Sequence, residues 1–340
     1  MVKILKSVLV FFSLILSFII FTYSSLAGNV TEDRLINSEN EPGNWIHHHG
    51  NYEAHRFSEL TDINKENVGD LRVAFTYAMG DVHGGGTSPI VFPFSGLEGT
   101  PIAEDGYLYI TTGWGTVTKL DVRGGRAVPL WKHNPEADKD YAPSVTCCGI
   151  NNRGVALHGE KVLSKVIDGR IYALNKHDGS MIWEKQVANV EIAEVFTGAP
   201  LIVKDMVVTG MAGAEFGIRG WIEALDVNTG DTRWRTYTIP GPGEPGHETW
   251  KDDYGAWKYG GGSTWVTGSY DPELNIIVWG TANPGPDWDN AARPGDNLWT
   301  DSTIALDADT GKFLWGFQHT PNDPYDYDSV AENTFVDTNI

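Results

Sequence analysis

The sequence predicts an all-β protein built from repeated four-stranded units, a β-propeller or a solenoid, and three observations support this. Its 340 residues include 39 Gly and 13 Trp, a composition typical of many short strands joined by tight turns. One motif recurs in register along the chain, and a pair of alternating apolar stretches precedes the copies. A repetitive all-β chain of this length can form a single domain.

Each copy of the motif runs from Ala-Leu through an Asx turn with Gly to a closing Trp. The clean copies are residues 173–183, 224–234 and 305–315, and a degenerate copy is 120–131. Each predicts strand, turn and strand, because Gly supplies the positive φ of the turn. The preceding apolar pair, for example residues 102–110, adds two strands to each unit. Repeats of this period indicate a propeller or solenoid in which each Trp packs between neighbouring sheets, and unrelated hairpins in a sandwich are the alternative.

The first 27 residues predict a secretory signal peptide. Lys3 and Lys6 precede an apolar run over 8–21, and small residues at Ser25 and Ala27 fit cleavage after Ala27. An uncleaved anchor is the alternative, but the run is short for a membrane span. The mature domain is then residues 28–340, with no stable span after cleavage, in an oxidising compartment that favours a disulfide.

The net charge of −20 argues against two classes of partner. A nucleic-acid-binding protein needs a basic surface, and docking on anionic lipid needs basic clusters. The sequence also lacks the Cys-x-x-Cys-His motif of covalent haem attachment. The consecutive His47, His48 and His49 cannot easily converge on one ion, so we expect an exposed loop there and not a metal site.

The Ala-x-Asp-x-x-Thr-Gly-x-x-x-Trp repeat resembles the tryptophan-docking motif of the eight-bladed quinoprotein dehydrogenases. Within these, the chain is similar to the methanol/ethanol dehydrogenase family that uses pyrroloquinoline quinone (PQQ), from about Asn44 to the C-terminus. Family members are longer, so the resemblance implies an eight-bladed β-propeller of which this chain, over 28–340, holds only about the first half of the blades. Whether this half folds or acts alone is left open.

The resemblance implies a set of residues around PQQ. Adjacent Cys147 and Cys148 could be two thiols or a strained vicinal disulfide, and in the family a disulfide ring lies against one face of the quinone. Trp265, after three consecutive glycines, would form the opposite face. Arg153 would clamp a carboxylate, for which its planar fork is suited. The remaining positions that match cofactor contacts are Glu98, Thr197, Gly213, Ala214 and Ser263.

The resemblance also implies a metal ion beside the quinone. Glu215 and Asn283 match its ligands, and Asp326 matches a residue that is both a ligand and the catalytic base. Asp328 stands where calcium-dependent relatives carry a small neutral residue and lanthanide-dependent ones carry Asp. A trivalent ion needs more anionic oxygen than a divalent one, and in an extended Asp-x-Asp segment both side chains share one face. A lanthanide is therefore predicted, with Ca²⁺ as the alternative.

These residues together imply a periplasmic PQQ-dependent alcohol dehydrogenase that oxidises primary alcohols to aldehydes. The metal would act as a Lewis acid on the quinone C5 carbonyl, Asp326 would accept the proton of the alcohol hydroxyl, and hydride would pass to C5. A small alcohol would be the substrate and a soluble c-type cytochrome the electron acceptor, with a homodimer left open. The alternatives are a non-catalytic propeller scaffold in the cell envelope and a membrane-bound PQQ sugar dehydrogenase.

Overall fold

A computed structural model describes residues 28–81 and 95–338, and it confirms the repeated four-stranded units. The predicted signal peptide, residues 1–27, lies outside the described residues. The described strands form four antiparallel sheets of four strands each, and in every sheet strands that are consecutive in sequence lie side by side. The four sheets therefore correspond to four blades of the predicted propeller.

The strand bounds follow the repeat. The first sheet contains β1 (Ile102–Glu104), β2 (Tyr107–Thr111), β3 (Val117–Asp121) and β4 (Val128–His133). The second contains β5 (Ala156–His158), β6 (Lys161–Lys165), β7 (Arg170–Asn175) and β8 (Met181–Gln186). The third contains β9 (Leu201–Val203), β10 (Met206–Gly210), β11 (Trp221–Asp226) and β12 (Thr232–Tyr237). The fourth contains β13 (Ser269–Asp271), β14 (Ile276–Gly280), β15 (Ser302–Asp307) and β16 (Phe313–Gln318).

Helical structure in the described residues is short. One α-helix, α1 (Glu32–Ile36), begins after Thr31, whose hydroxyl accepts a hydrogen bond from the backbone N–H of Arg34 at 3.2 Å, as an N-cap should. The 3₁₀ turns are Ser38–Asn40, Val68–Asp70, Ala142–Val145, Val190–Ile192, Ala214–Phe216, His247–Thr249, Ala256–Tyr259 and Asn290–Ala292. Within the described residues no helix is long and apolar enough to cross a membrane.

The repeated Trp joins each sheet to the next one. Its indole nitrogen donates to a backbone carbonyl of the following sheet's turn, at 3.1 Å from Trp131 to Lys176, 3.1 Å from Trp183 to Val227 and 3.2 Å from Trp234 to Ala308. Trp183 and Trp234 are 8% exposed, whereas Trp315 is 46% exposed. The predicted packing of Trp between sheets is thus confirmed where a following sheet is described.

The glycine of each turn is required by this docking. Gly230 has φ of +73°, and a Cβ there would lie 2.7 Å from the Trp183 ring. Gly311 has φ of +69°, and its Cβ would overlap the Trp234 ring. Each glycine therefore provides both a left-handed turn and space for the preceding indole.

The histidine tract is buried, so the expectation of an exposed loop there is wrong. His47 Nε2 contacts the Leu35 carbonyl at 2.8 Å, and His49 Nε2 contacts the Thr267 carbonyl at 3.0 Å. Burial lowers the pKa of His47 to about 4, which keeps the ring neutral. These imidazoles connect α1 to the segment that precedes the fourth sheet. Three adjacent polar residues in a sequence give no indication of such buried contacts.

Candidate functional site

The predicted site residues lie in segments that meet at one edge of the sheets. In an antiparallel meander the second and fourth strands end at the same edge. Glu98 enters β1, Cys147 to Arg153 join β4 to β5, and Thr197 joins β8 to β9. The remaining residues follow β10, β12, β14 or β16: these are Gly213, Ala214, Glu215, Ser263, Trp265, Asn283, Asp326 and Asp328. The repeat thus gathers residues that are far apart in sequence.

Cys147 and Cys148 form the predicted vicinal disulfide. Cys148 adopts a positive φ of 65° and is exposed, while Cys147 is half-buried. The segment is fixed behind the disulfide, where the Gly96 N–H donates to the Ile150 carbonyl at 2.8 Å. The disulfide is therefore accessible to solvent, and the backbone segment that carries it is held by a hydrogen bond.

Arg153 connects three other predicted cofactor contacts. Its Nη2 lies 2.8 Å from Glu98 Oε2, and its Nη1 donates to the Thr197 carbonyl at 3.2 Å. The guanidinium lies over the Trp265 ring, 4.7 Å from the centroid, a cation–π distance. Burial lowers the pKa of Arg153 and the Glu98 charge opposes this. The four residues are adjacent, as the resemblance implies, although Glu98 already neutralises the guanidinium.

The small residues of the site are small for steric reasons. Gly213 has φ of +121°, and a Cβ there would overlap the Ala193 carbonyl. Ala214 is buried beside Ala282 and Val330, and Trp265 packs against this cluster. Ser263, also buried, accepts a hydrogen bond at its carbonyl from the Ala282 N–H at 2.8 Å. Tight backbone packing here brings Glu215 next to the Asn283 segment.

A hydrogen bond joins Asn283 to Asp328. The Asn283 N–H donates to Asp328 Oδ1 at 3.2 Å. The Asn283 side-chain amide donates to the Pro284 carbonyl at 3.3 Å and to Asp287 Oδ1. Since both donations use Nδ2, the orientation of the Asn283 amide is fixed, and its oxygen is left free to bind something else.

Three of the four predicted metal ligands carry a buried oxygen without a hydrogen-bond partner. These atoms are Glu215 Oε2, Asn283 Oδ1 and Asp326 Oδ1. The hydroxyl oxygen of Thr197, a predicted cofactor contact, is also buried without a hydrogen-bond partner. Buried polar atoms are nearly always paired, and carboxylate and amide oxygens are the ligands that hard cations prefer. In residues 28–81 and 95–338, no three His, Cys, Asp or Glu side chains are close enough to form a metal site by themselves, so Glu215, Asp326 and Asp328 do not yet meet as a set of three carboxylates.

The acids of this region repel one another. Burial, followed by the charges of Asp287, Asp328 and Asp326, raises the pKa of Glu215 to about 7. The pKa of Asp328 is raised to about 6, mainly by burial. Burial and the Asp323 charge raise the pKa of Asp326. A cation among these oxygens would relieve this repulsion.

The Asp326–Asp328 segment is not extended, so the geometric reason for placing both side chains on one face is wrong. Asp326 and Asp328 have positive φ values of 62° and 53°, in the left-handed region. The cause is Asp323, whose carboxylate accepts from the Tyr325 N–H at 2.8 Å and from the Tyr327 N–H at 2.6 Å. This curls the chain, and Asp tolerates the left-handed region better than most residues.

Two acids and two bases of this region were not found from the sequence. The Asp287 carboxylate accepts a hydrogen bond from the Asn283 side-chain amide. Burial and the Asp326 charge raise the pKa of Asp287 to about 6. Burial raises the pKa of Asp301 to about 8. Arg293 is completely buried and bonds backbone carbonyls of two site loops, and Lys165 is buried near Arg153. Asp287 has a sequence signal, since it ends the Pro-Gly-Pro turn after Asn283, and Arg293 has one, since it begins an Arg-Pro-Gly-Asp-Asn turn. Asp301 and Lys165 have none.

Comparisons with known proteins identify the family of the chain. A family model described as "Glucose/ethanol/alcohol dehydrogenase, beta-propeller domain", with the label PQQ, matches residues 45–340. The chain is 36% identical over 336 residues to the lanthanide-dependent methanol dehydrogenase of Methylacidiphilum fumariolicum, covering 93% of this chain and 52% of the relative. It is 35% identical over 329 residues to subunit 1 of the methanol dehydrogenase [cytochrome c] of Methylorubrum extorquens, covering 89% and 50%.

A solved structure shows the same fold. The quinohemoprotein alcohol dehydrogenase ADHIIG from Pseudomonas putida HK5 superposes with a TM-score of 0.81 at 37% identity, over 89% of this chain and 44% of that one. The chain spans about half the length of the curated relatives that it matches.

Proposed function

The chain belongs to the PQQ-type glucose/ethanol/alcohol dehydrogenase β-propeller family, and on that premise we propose that the full-length protein is a periplasmic alcohol dehydrogenase. Its substrates would be small primary alcohols, oxidised to aldehydes, and its electron acceptor a soluble c-type cytochrome. The chain described here would be the N-terminal part of an eight-bladed propeller, preceded by a signal peptide over residues 1–27.

One observation carries the proposal. Glu215, Asn283 and Asp326 come from three different segments, and each presents one buried oxygen that nothing in the described structure satisfies. A scaffold propeller has no need of such atoms, because every unpaired buried oxygen costs about 1–3 kcal/mol. A hard cation at this position would bind all three oxygens.

The residues around Trp265 fit a flat, anionic ring. Trp265 offers an indole face, and the Arg153 guanidinium lies over this ring. Thr197, whose hydroxyl has no hydrogen-bond partner, accepts a hydrogen bond from Arg153 at its carbonyl. The Cys147–Cys148 disulfide would cover the opposite face. When bound, PQQ would take up the hydride, and the metal ion would polarise its carbonyl.

Asp326 is the best-placed base for the alcohol. Its Oδ1 has no hydrogen-bond partner, and burial together with the Asp323 charge raises its pKa, which makes the carboxylate a better proton acceptor. Its loop is held by the Asp323 turn, so the backbone of Asp326 is in place before the substrate arrives. Asp326 would hold the alcohol hydroxyl and accept its proton.

The metal would be a lanthanide. Glu215 and Asp326 would supply two carboxylates, and Asp328, which lies beside Asn283, would add a third once Glu215 and Asp326 close around the ion; three carboxylates suit a trivalent ion better than a divalent one. Each carboxylate oxygen of Asp328 accepts one hydrogen bond, and each retains a lone pair for a metal. Ca²⁺ is the alternative.

The test uses the full-length protein reconstituted with PQQ and metal, with alcohol-dependent reduction of an artificial electron acceptor as the assay. We expect activity in the wild type and loss of at least about 10³-fold in kcat for Asp326→Asn, since a base and a ligand are lost together. Asp289→Asn is the matched control, because Asp289 is an exposed acid near the same loops. Absence of alcohol oxidation in the reconstituted wild type would refute the proposal.

A further inference from the structure

Lys165 is a buried cation without an acidic partner. It ends β6 and is 2% exposed. Its Nζ donates to Thr209 Oγ1 at 3.0 Å and lies 5.0 Å from the centre of the Phe196 ring. Among the described residues no carboxylate forms an ion pair with it, and the segments outside them, 1–27, 82–94 and 339–340, contain no Asp or Glu.

Lys176, directly after β7 of the same sheet, shows what a buried lysine ordinarily requires. It is also 2% exposed, and its Nζ lies 2.9 Å from Glu104 Oε1. Lysine is almost never fully buried unless it is paired, because an uncompensated buried charge is costly. The missing partner of Lys165 is therefore the anomaly to be explained.

Lys165 lies against the predicted cofactor contacts. Gly198 follows Thr197, and a Cβ at Gly198 would lie 2.5 Å from the Trp265 carbonyl and 3.6 Å from Lys165 Nζ. The charge of Arg153 acts on Lys165, and the charges of both residues act on His48. Because Glu98 neutralises Arg153, Lys165 is the positive charge of this region that remains uncompensated.

We propose that Lys165 is an electrostatic anchor of the site, a buried cation that becomes compensated when an anionic ring ligand lies against Thr197 and Arg153. The free hydroxyl of Thr197, buried and without a partner, points independently to a ligand at the same place. Identifying that ligand as PQQ, which carries three carboxylates, rests on the proposed function. The proposal that Lys165 anchors an anion does not depend on the proposed function.

The ionisation of Lys165 agrees with this role. Burial, followed by the Arg153 charge, lowers the pKa of Lys165 to about 7. An anion nearby would raise this pKa again. Binding of the anionic ligand at neutral pH should therefore be accompanied by proton uptake.

The experiment compares Lys165→Met with Lys176→Met in the full-length protein. Thermal denaturation is measured without cofactor, and PQQ affinity and proton uptake are measured by titration calorimetry in buffers of different ionisation enthalpy. We expect Lys165→Met to raise the Tm of the apoprotein, to weaken PQQ binding at least about tenfold and to abolish proton uptake. Lys176→Met should lower the Tm, because it leaves Glu104 buried with one partner fewer, and should leave PQQ affinity unchanged.

Two results separate the anchor from the proposed function. If Lys165→Met lowers the apoprotein Tm and leaves PQQ affinity unchanged, Lys165 is structural and the anchor is refuted. If the wild type does not bind PQQ, the proposed function fails, and benzene-1,3,5-tricarboxylate serves as the anionic probe. Weaker binding of that probe to Lys165→Met than to the wild type would then support the anchor, and equal binding would refute it.

Discussion

The indole nitrogen of Trp265 donates a hydrogen bond to Asp328 Oδ2 at 3.1 Å. This bond joins the predicted ring-stacking residue to the predicted additional metal ligand. The other oxygen of Asp328 accepts from the Asn283 N–H, so the carboxylate is held between a cofactor contact and a ligand-bearing loop. The position of Asp328 is therefore fixed before any metal binds.

Asp328 should determine which metal supports activity. In the full-length enzyme reconstituted with PQQ, we expect La³⁺ to give higher activity than Ca²⁺. Asp328→Asn should weaken La³⁺ binding at least about tenfold and affect Ca²⁺ less, because it removes one negative charge but retains an acceptor for Trp265. Metal titration and activity assays measure both. Higher wild-type activity with Ca²⁺, or full La³⁺ activity in Asp328→Ala, would restore calcium as the metal.

The two cysteines should be unreactive in the folded protein. Because Cys147 and Cys148 are bonded to each other, an alkylating reagent should modify neither one until a reductant is added, and both afterwards. Mass spectrometry of the labelled peptide measures this. Cys148 is exposed, so protection without reductant cannot come from burial. Labelling of both residues before reduction would contradict the bond.

Arg293 should position the metal-binding loops without touching the metal. It is completely buried, and its guanidinium donates to the carbonyls of Pro286, Asp287 and Asp323. Arg293→Met leaves these acceptors unpaired, and we expect a loss of about 3 kcal/mol or more in the free energy of unfolding. Metal affinity should also fall when measured well below the unfolding temperature, for example by Tb³⁺ luminescence.

The control for Arg293 is the exposed Arg233, which pairs with Asp205 at 3.0 Å and with Asp226. Surface ion pairs contribute about 0–1 kcal/mol to stability. Arg233→Met should therefore change the free energy of unfolding and the metal affinity only slightly. Equal metal affinity in Arg293→Met and Arg233→Met would show that the buried arginine only stabilises the fold.

The contribution of Lys165 to the stability of the apoprotein should rise with pH above neutrality. The folded-state pKa of Lys165 is about 7, below the unfolded value of about 10.4. Between these values the unfolded state binds more protons than the folded state, so the free energy of unfolding rises with pH by up to about 1.4 kcal/mol per unit. Below the folded pKa the full penalty of burying the charge is present. Urea unfolding between pH 7 and 9.5 should show a more positive slope in the wild type than in Lys165→Met, because the buried acids Glu215 and Asp301, whose raised pKa values act in the opposite direction, are present in both proteins. Identical slopes would contradict the prediction.

The turn glycines should be more sensitive to substitution than other left-handed glycines. Gly311→Ala places a methyl group into the Trp234 ring and strains the backbone, and we expect a loss of about 3 kcal/mol. Gly243 has φ of +88° and no atom within 4 Å of an added Cβ. Gly243→Ala should therefore cost only about 1–2 kcal/mol. Denaturant unfolding compares the two, and equal losses would mean that the indole moves aside.

The fold could be predicted from the sequence because its determinants are local and repeated. Ala224 and Trp234 are cross-strand partners, and the Asx turn between them is visible as a motif. The placement of Asp326 could not be derived, because Asp323 curls that loop through two hydrogen bonds to backbone N–H groups. The burial of His47 and Lys165 depends on contacts with segments far away in sequence, and nothing in their immediate neighbours reports it. The site residues could be predicted from the family resemblance, whereas their oxygens without a hydrogen-bond partner are visible only in the structure.

Docking of each Trp on the following sheet sets an order for folding. The carbonyls that receive Trp131, Trp183 and Trp234 lie 45, 44 and 74 residues further along the chain. If the chain enters the compartment in which it folds with its N-terminus first, each sheet therefore exposes its indole until the next turn has also entered. Sheet assembly should then proceed from the N-terminus one blade behind the entering chain, and of these three indoles Trp234 is exposed the longest. The third blade is where a chaperone that recognises exposed aromatic surface would have the longest time to bind.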